Sequence, residues 1–212
     1  MGGLFFLIAA IGTIGSKQAK IRPAYLISGG ASGRNFYNNF NYNFIKILSI
    51  YLFSTLLIIF LYNLAGIRLL DSFNLSFTAV SSGGFIPSNN LLNIINKDVQ
   101  ILVLSISLLF PIFNFFLLHD IVTKKFSYRR SQEDIHLAAI IFFITLFIYF
   151  FVIPEEGISN VFFAIISSLS TSGISAYSSD TDLSLFFILL TIVGGSLIST
   201  SSGFKYIRLY IL

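Results

Sequence analysis

Long apolar runs follow one another along the chain, with short polar connections between them. A helix needs about 20 apolar residues to cross the roughly 30 Å hydrocarbon core of a bilayer. By that criterion the pattern predicts four membrane-spanning helices. They cover residues 44–65, 99–118, 136–153 and 183–212, and the last is interrupted at 194–203. Residues 1–43 are interpreted as the end of a preceding apolar segment followed by a basic cytoplasmic linker.

Two further apolar stretches, residues 72–81 and 161–170, are too short to span a membrane. Ten residues of helix measure about 15 Å, which is half of the hydrocarbon core. Each stretch starts at a residue type that favours a helix N-cap, Asp71 or Asn160, and ends in small polar residues and glycine. We therefore predict two half-helices that enter the membrane and return on the same side.

The distribution of positive charge supports this topology. Lys and Arg cluster at residues 17–46, 124–130 and 205–208, whereas the other connections are poorer in them. The positive-inside rule places basic connections in the cytoplasm. All three clusters lie on one side only if both short stretches are re-entrant. The predicted location is thus the cytoplasmic membrane, with several spans and the basic loops inside.

The composition also indicates a membrane protein. The chain of 212 residues is 55% hydrophobic and 10% charged, with a mean hydropathy of +0.86, whereas soluble domains carry about 25% charged residues. Topology explains the net charge of +4, so we expect membrane lipid and no nucleic acid among the partners. The sequence lacks cysteine and shows no catalytic triad or metal-ligand cluster, and we predict neither an enzyme nor a bound cofactor.

A shift of 89 residues relates the two short stretches, because it aligns Ser82 with Thr171 and Gly84 with Gly173. Each copy reads span, half-helix, small polar break and span. Both copies start on the same side, so the pattern predicts parallel repeats. The predicted repeats cover residues 44–118 and 136–212, and residues 119–135 form the cytoplasmic loop between them.

The two polar breaks are suited to cation binding. Non-helical backbone is tolerated at membrane depth only inside protein or beside water, where its carbonyls replace the hydration shell of a cation. Glycine permits a close approach, and the preceding half-helix directs its negative C-terminal end at the break. The alternative is that Gly and Ser merely let helices pack or turn. The candidate ion-binding residues are Ser82, Gly83, Gly84, Phe85, Thr171, Ser172, Gly173 and Ile174.

Three segments resemble the Trk/Ktr/HKT superfamily of potassium transporters, most of all its bacterial Trk-type membrane subunits. SFTAVSSGGF at residues 76–85 resembles the second filter segment of that family, and FFAIISSLSTSGIS at 162–175 resembles the third. GGSLISTSSGFKYIRL at 194–209 resembles the intramembrane loop of the third repeat and the basic residues that follow it. Two features depart from the family pattern: Ile174 replaces the usual Phe, and the loop has fewer glycines than many members show.

The resemblance implies an all-α integral membrane protein with span–re-entrant pore helix–span repeats around one pore, of which this chain carries two of four. It implies uptake of potassium, with sodium as the alternative ion. It also implies a homodimer and a cytosolic nucleotide-binding regulatory subunit. The chain is interpreted as a fragment, as a split-gene product, or as half of a pore whose missing repeats lie on another chain.

The resemblance further assigns a gate beneath the filter to the Gly/Ser-rich loop. Lys205 and Arg208 either mark the cytoplasmic end of the last helix or control the ion path electrostatically. A kinked helix that packs small residues is the alternative for the loop. The candidate gate residues are Gly194, Gly195, Ser199, Thr200, Ser201, Ser202 and Gly203.

Two rival functions stay open at the level of the sequence. One is a non-conducting fragment or assembly remnant of such a transporter. The other is an ion-coupled carrier for an organic solute, which would need buried ionisable residues that the predicted spans lack.

Overall fold

The structure is a computed structural model that describes residues 40–88, 90–117, 121, 132–175, 183–196 and 198–206. Every regular element within those ranges is helical. The elements in chain order are α1 (Phe40–Leu64), α2 (Leu69–Ser81), a short 3₁₀ helix (Leu91–Asn93), α3 (Asp98–Leu108), α4 (Gln132–Phe151), α5 (Ile158–Leu169) and α6 (Ser184–Val193). The basic loop at 124–130 and residue Arg208 lie outside the described residues.

Helices α1 and α4 are long and apolar enough to cross a membrane, as the sequence predicts for 44–65 and 136–153. Each buries only one side: α1 buries Ile58 and Tyr62 and leaves Leu56 65% exposed. On α4, Ile141 is buried while Phe143 is 68% exposed. Apolar faces of this size need an apolar surrounding, which a bilayer provides.

Short helices form at both positions where half-helices were predicted, but they begin earlier. The N-caps are Arg68 and Gly157 rather than Asp71 and Asn160, so that part of the prediction is wrong. Asp71 lies in the first turn of α2 instead, where its carboxylate accepts a 2.9 Å hydrogen bond from Arg68 Nε. A carboxylate there still stabilises the positive end of the helix dipole.

The predicted span at 99–118 does not form one continuous helix. Helix α3 ends at Leu108, and the chain continues through tight turns from residue 109 to 116, which we call the Pro111 segment. Proline lacks the N–H that a helix requires. The carbonyls of Pro111 and Ile112 accept hydrogen bonds from a distant loop rather than from the next helical turn.

Each half-helix packs against at least two other helices. Helix α5 packs against α3, α4 and α6, and α2 packs against α1 and α3. Leu75 of α2 and Phe163 and Ile165 of α5 have no exposed surface. Their C-terminal ends are therefore surrounded by protein, which allows irregular polar backbone to follow them at membrane depth.

Candidate functional site

The first loop, residues 82–85, reverses the chain at the end of α2. Ser82 adopts a left-handed conformation with φ of 55°, and Gly84 has φ of 72°. The Gly83 N–H donates to the carbonyl of Thr78 at 3.1 Å. The Thr78 hydroxyl donates to the carbonyl of Phe85, seven residues on, and so ties the loop back to the last turn of α2.

The second loop, residues 171–174, repeats this arrangement at the end of α5. Thr171 has φ of 60° and Gly173 has φ of 65°. The Ser172 N–H donates to the carbonyl of Ser167 at 3.2 Å, and the Ser167 hydroxyl donates to the carbonyl of Ile174 at 2.6 Å. Each of these positions lies 89 residues after its counterpart in the first loop. The alignment based on sequence therefore pairs residues with the same backbone geometry.

The two loops lie against each other. A Cβ atom on Gly84 would overlap the carbonyl oxygen of Ser172, so only glycine permits the observed approach. Gly84 is half-buried, whereas Gly83, Phe85 and Gly173 are exposed. Ser172 and Ile174 are buried at 8% and 5% exposure. The eight candidate ion-binding residues thus lie in two loops that meet at Gly84 and Ser172, and their side chains differ in exposure.

The ligands that this surface offers are neutral oxygens. Among the described residues no group of three or more His, Cys, Asp or Glu side chains is placed to hold a metal ion. Backbone carbonyls and Ser or Thr hydroxyls suit a weakly hydrated monovalent cation, which must bind and leave rapidly. The C-terminal ends of α2 and α5 both lead into the loops and add negative partial charge there.

The Gly/Ser loop, residues 194–203, begins where α6 ends and contacts both half-helix ends. The Thr200 hydroxyl donates to the carbonyl of Val80 in the last turn of α2 at 3.1 Å. The Ser202 N–H donates to the Thr171 hydroxyl in the second loop at 3.1 Å. The structure therefore brings together the three motifs that the sequence places far apart.

The Pro111 segment supports the Gly/Ser loop from the other side, through three backbone hydrogen bonds. A Cβ on Gly195 would overlap the carbonyl of Ile112, which shows how closely the two backbones approach. Sequence reasoning missed this contact, although the proline within an apparent span was the signal for it. The three bonds run from Ser196 N to Ile112 O at 2.8 Å, from Ser201 N to Pro111 O at 3.0 Å and from Phe115 N to Ile198 O at 2.7 Å.

Asp134, near the start of α4, is a further residue that the sequence did not single out. It is 6% exposed, and its carboxylate accepts a 2.9 Å hydrogen bond from the Asn114 N–H. It thereby fixes the C-terminal end of the Pro111 segment against α4. Its role in the described contacts is to position the segment that carries the Gly/Ser loop.

Lys205 follows the loop and turns back into it. The residue is 9% exposed, and its ammonium donates to the carbonyl and hydroxyl oxygens of Ser199 at 3.3 and 2.9 Å and to the carbonyl of Ser201. An open cleft of about 600 Å³ lies between the second loop, α6 and the end of the Gly/Ser loop. The residues that line this cleft are Thr171, Gly173, Thr191, Ile192, Ser202, Gly203 and Phe204.

Comparison with known proteins finds similarity to a curated relative and to a solved structure. An uncharacterized cation transporter of Methanocaldococcus jannaschii is 27% identical over 169 residues, which cover 78% of this chain and 35% of that protein. The crystal structure of the potassium transporter TrkH from Vibrio parahaemolyticus superposes with a TM-score of 0.75 at 20% identity, covering 99% of this chain and 45% of that chain. No protein-family model matches the chain.

The chain therefore spans less than half of either protein it matches. The superposition extends over nearly the whole chain and therefore shows the fold. At 20% identity it shows the fold alone. Together with the exposed apolar faces of α1 and α4, it makes this an all-helical membrane protein. In fold the chain resembles a Trk-type potassium transporter, and in sequence it is similar, more distantly, to a cation transporter.

Proposed function

We propose that the chain forms part of a potassium-uptake pore, in which the first and second loops supply backbone-carbonyl sites. The observation that carries the proposal is the shared geometry of the loops. Both follow a half-helix, both pass through left-handed backbone, and Gly84 meets the Ser172 carbonyl. Two independent sequence segments with this backbone, side by side at membrane depth, match the way carbonyl oxygens replace a cation's hydration shell.

Two loops surround only part of an ion, so the pore is proposed to be completed by two further repeats. Residues 44–118 and 136–212 would be the two repeats of this chain, joined by the cytoplasmic loop at 119–135. The curated relative and the solved structure are each more than twice as long as the matched part, which leaves room for such repeats. A homodimer and a cytosolic nucleotide-binding partner belong to the same proposal, as does an inner-membrane location with the basic loops inside.

The Gly/Ser loop is proposed as the barrier on the cytoplasmic side. It is bonded to the end of α2 through Thr200 and to the second loop through Ser202. Small side chains pack little surface, so such a loop can move at low energetic cost once its hydrogen bonds are broken. The contacts with the Pro111 segment would keep it in place at rest.

The test is uptake of rubidium, with potassium as competitor, in bacterial cells that lack their own potassium-uptake systems. The chain is expressed alone and together with a chain that supplies two further repeats. We expect saturable uptake that potassium inhibits, at least when the further repeats are present. Absence of uptake in both cases, with the protein shown to be in the membrane, would contradict transport and favour a non-conducting remnant.

The solute-carrier alternative makes a different prediction, namely uptake of an organic solute coupled to an ion gradient. The first and second loops offer backbone and hydroxyl oxygens, which suit a cation. The buried ionisable side chains of Asp134 and Lys205 bond this chain's own backbone, so they do not favour an organic solute over a cation. The transport proposal also carries the expectation that the chain is not an enzyme.

A further inference from the structure

We propose that the ammonium of Lys205 acts as a built-in cation that holds the Gly/Ser loop closed. Three oxygen atoms that accept hydrogen bonds from it belong to Ser199 and Ser201, in the middle of the loop. They form a small site of two carbonyls and one hydroxyl, the same ligand types that would bind a free monovalent cation. The site is filled by a side chain of the same chain, so it fixes the loop instead of conducting. Lys205 is thus a positioning residue.

The backbone around Lys205 is shaped to deliver the ammonium. Lys205 has φ of 68°, a left-handed conformation that is unfavourable for a residue with a side chain. The Tyr206 N–H donates to the Gly195 carbonyl at 3.0 Å and the Phe204 N–H donates to the Ile192 carbonyl at 2.9 Å. The two ends of the loop are therefore joined, as in an Ω-loop, and the lysine side chain extends from the junction into the interior.

Burial of a charged ammonium is unfavourable unless polar groups compensate it. The side chain is held at 9% exposure by oxygens of the loop itself. Removing the ammonium leaves the carbonyls of Ser199 and Ser201 without that donor in a buried site, which also is unfavourable. Opening of the loop to water then becomes more favourable. As a result, Thr200 and Ser202 lose their fixed positions against α2 and the second loop.

This inference deepens the proposed function, on which its meaning for transport rests, but its first test requires no transport. The chain contains no cysteine, so Ser196→Cys introduces a single thiol at a loop position with 0% exposure. In purified protein we measure the rate at which a water-soluble thiol reagent modifies it. Lys205→Ala is the test variant, and Lys97→Ala, which removes an exposed lysine, is the matched control.

We expect Lys205→Ala to raise the modification rate at least about tenfold, since hydrogen bonds to a charged group are the strong ones, and Lys97→Ala to leave it unchanged. Propylammonium, which replaces the deleted part of the side chain, should restore protection, whereas propanol should not. If the Lys205 side chain only filled space, propylammonium and propanol would restore protection equally. Ser199→Ala removes the hydroxyl ligand together with that hydroxyl's bonds to the Ser196 carbonyl and the Ser201 hydroxyl. It keeps the two carbonyl ligands, so it should give a smaller increase, and it serves as the test if Lys205→Ala does not fold.

An unchanged rate in the folded Lys205→Ala protein overturns the inference, and so does equal rescue by propanol and propylammonium. If Lys205→Ala does not fold and Ser199→Ala does, an unchanged modification rate in Ser199→Ala overturns the inference. Rubidium uptake by the same variants separates the two proposals. If modification rises and propylammonium reverses it while uptake stays the same, Lys205 holds the loop as inferred and the loop is not the transport barrier.

Discussion

The first and second loops have the same backbone and different surroundings. In each, a hydroxyl in the half-helix, from Thr78 or Ser167, bonds the carbonyl seven residues later. In each, a left-handed residue precedes a glycine with positive φ. These shared features are those that orient carbonyl groups. Side-chain identity outside them varies, so the two loops share their backbone geometry more than their side chains.

The differences concern how each loop is supported. The second loop has Ser172 where the first has Gly83, and the Ser172 hydroxyl lies 3.2 Å from that of Ser167 and 3.0 Å from that of Ser170. Ile174 is 5% exposed, whereas Phe85 at the equivalent position is 81% exposed. The second loop is therefore held by a buried hydroxyl network and an apolar side chain. The first lacks this network and is held by its hydrogen bonds to Thr78 and by the close approach of Gly84 to Ser172.

The largest difference is expected between the two glycines. Gly84→Ala forces a Cβ into the Ser172 carbonyl and also requires left-handed alanine. A Cβ on Gly173 would meet no described atom within 4 Å, so Gly173→Ala incurs only the second penalty. Overpacking costs about 1–3 kcal/mol and the left-handed conformation about 1–2 kcal/mol. Thermal unfolding in detergent should show Gly84→Ala as the less stable variant, and equal midpoints for both variants would contradict the loop contact.

The exchange of the equivalent apolar residues should give the next largest effect. Ile174→Phe places a larger ring in a site with 5% exposure and should cost about 1–3 kcal/mol. Phe85→Ile, at 81% exposure, should change stability by less than about 0.5 kcal/mol. The measurement is the denaturation midpoint of each variant. A neutral Ile174→Phe would show that the family-like phenylalanine fits here and that the second loop is not closely packed.

Removal of the two hydroxyls should give the smallest effect. Thr78→Val and Ser167→Ala each delete the bond to the carbonyl seven residues on, which is worth about 1 kcal/mol. Ser167→Ala should cost more, because the Ser167 hydroxyl also contacts that of Ser172. For a chain of this size, about 1 kcal/mol corresponds to a midpoint shift of about 2–4 °C. A larger shift for Thr78→Val would contradict the assigned network.

Much of this arrangement was predictable from local sequence. A largely apolar stretch of about ten residues followed by Ser-Gly or Thr-Ser-Gly predicts a short helix that stops, and the structure places α2 and α5 there. The glycines at 194 and 203 predict the end of α6 for the same reason. The helix starts were predicted wrongly because Asp71 pairs with the Arg68 side chain instead of capping backbone N–H groups.

The rest depends on contacts between distant segments. Proline at position 111 predicts a kink in an apolar span, but the bonds that its carbonyl and that of Ile112 accept from Ser201 and Ser196 come from a distant segment. Lys205 is basic and lies two residues after a glycine. That pattern fits a residue at the membrane interface as well as it fits a buried residue. Its burial results from the loop closing around it. The ion-binding roles of residues 82–85 and 171–174 remain predictions.

The central claim is that the two loops line a cation path, and rubidium uptake by a matched pair of glycine variants tests it most directly. Gly84 and Gly66 both have positive φ, but a Cβ on Gly66 would meet only Gln100 Nε2, at 4.0 Å. Both variants are expressed with the completing repeats, and their amounts in the membrane are compared. The account predicts that Gly84→Ala loses at least about 90% of potassium-inhibited uptake, which equals about 1.4 kcal/mol, while Gly66→Ala retains it. Full uptake by Gly84→Ala at equal expression would contradict the claim.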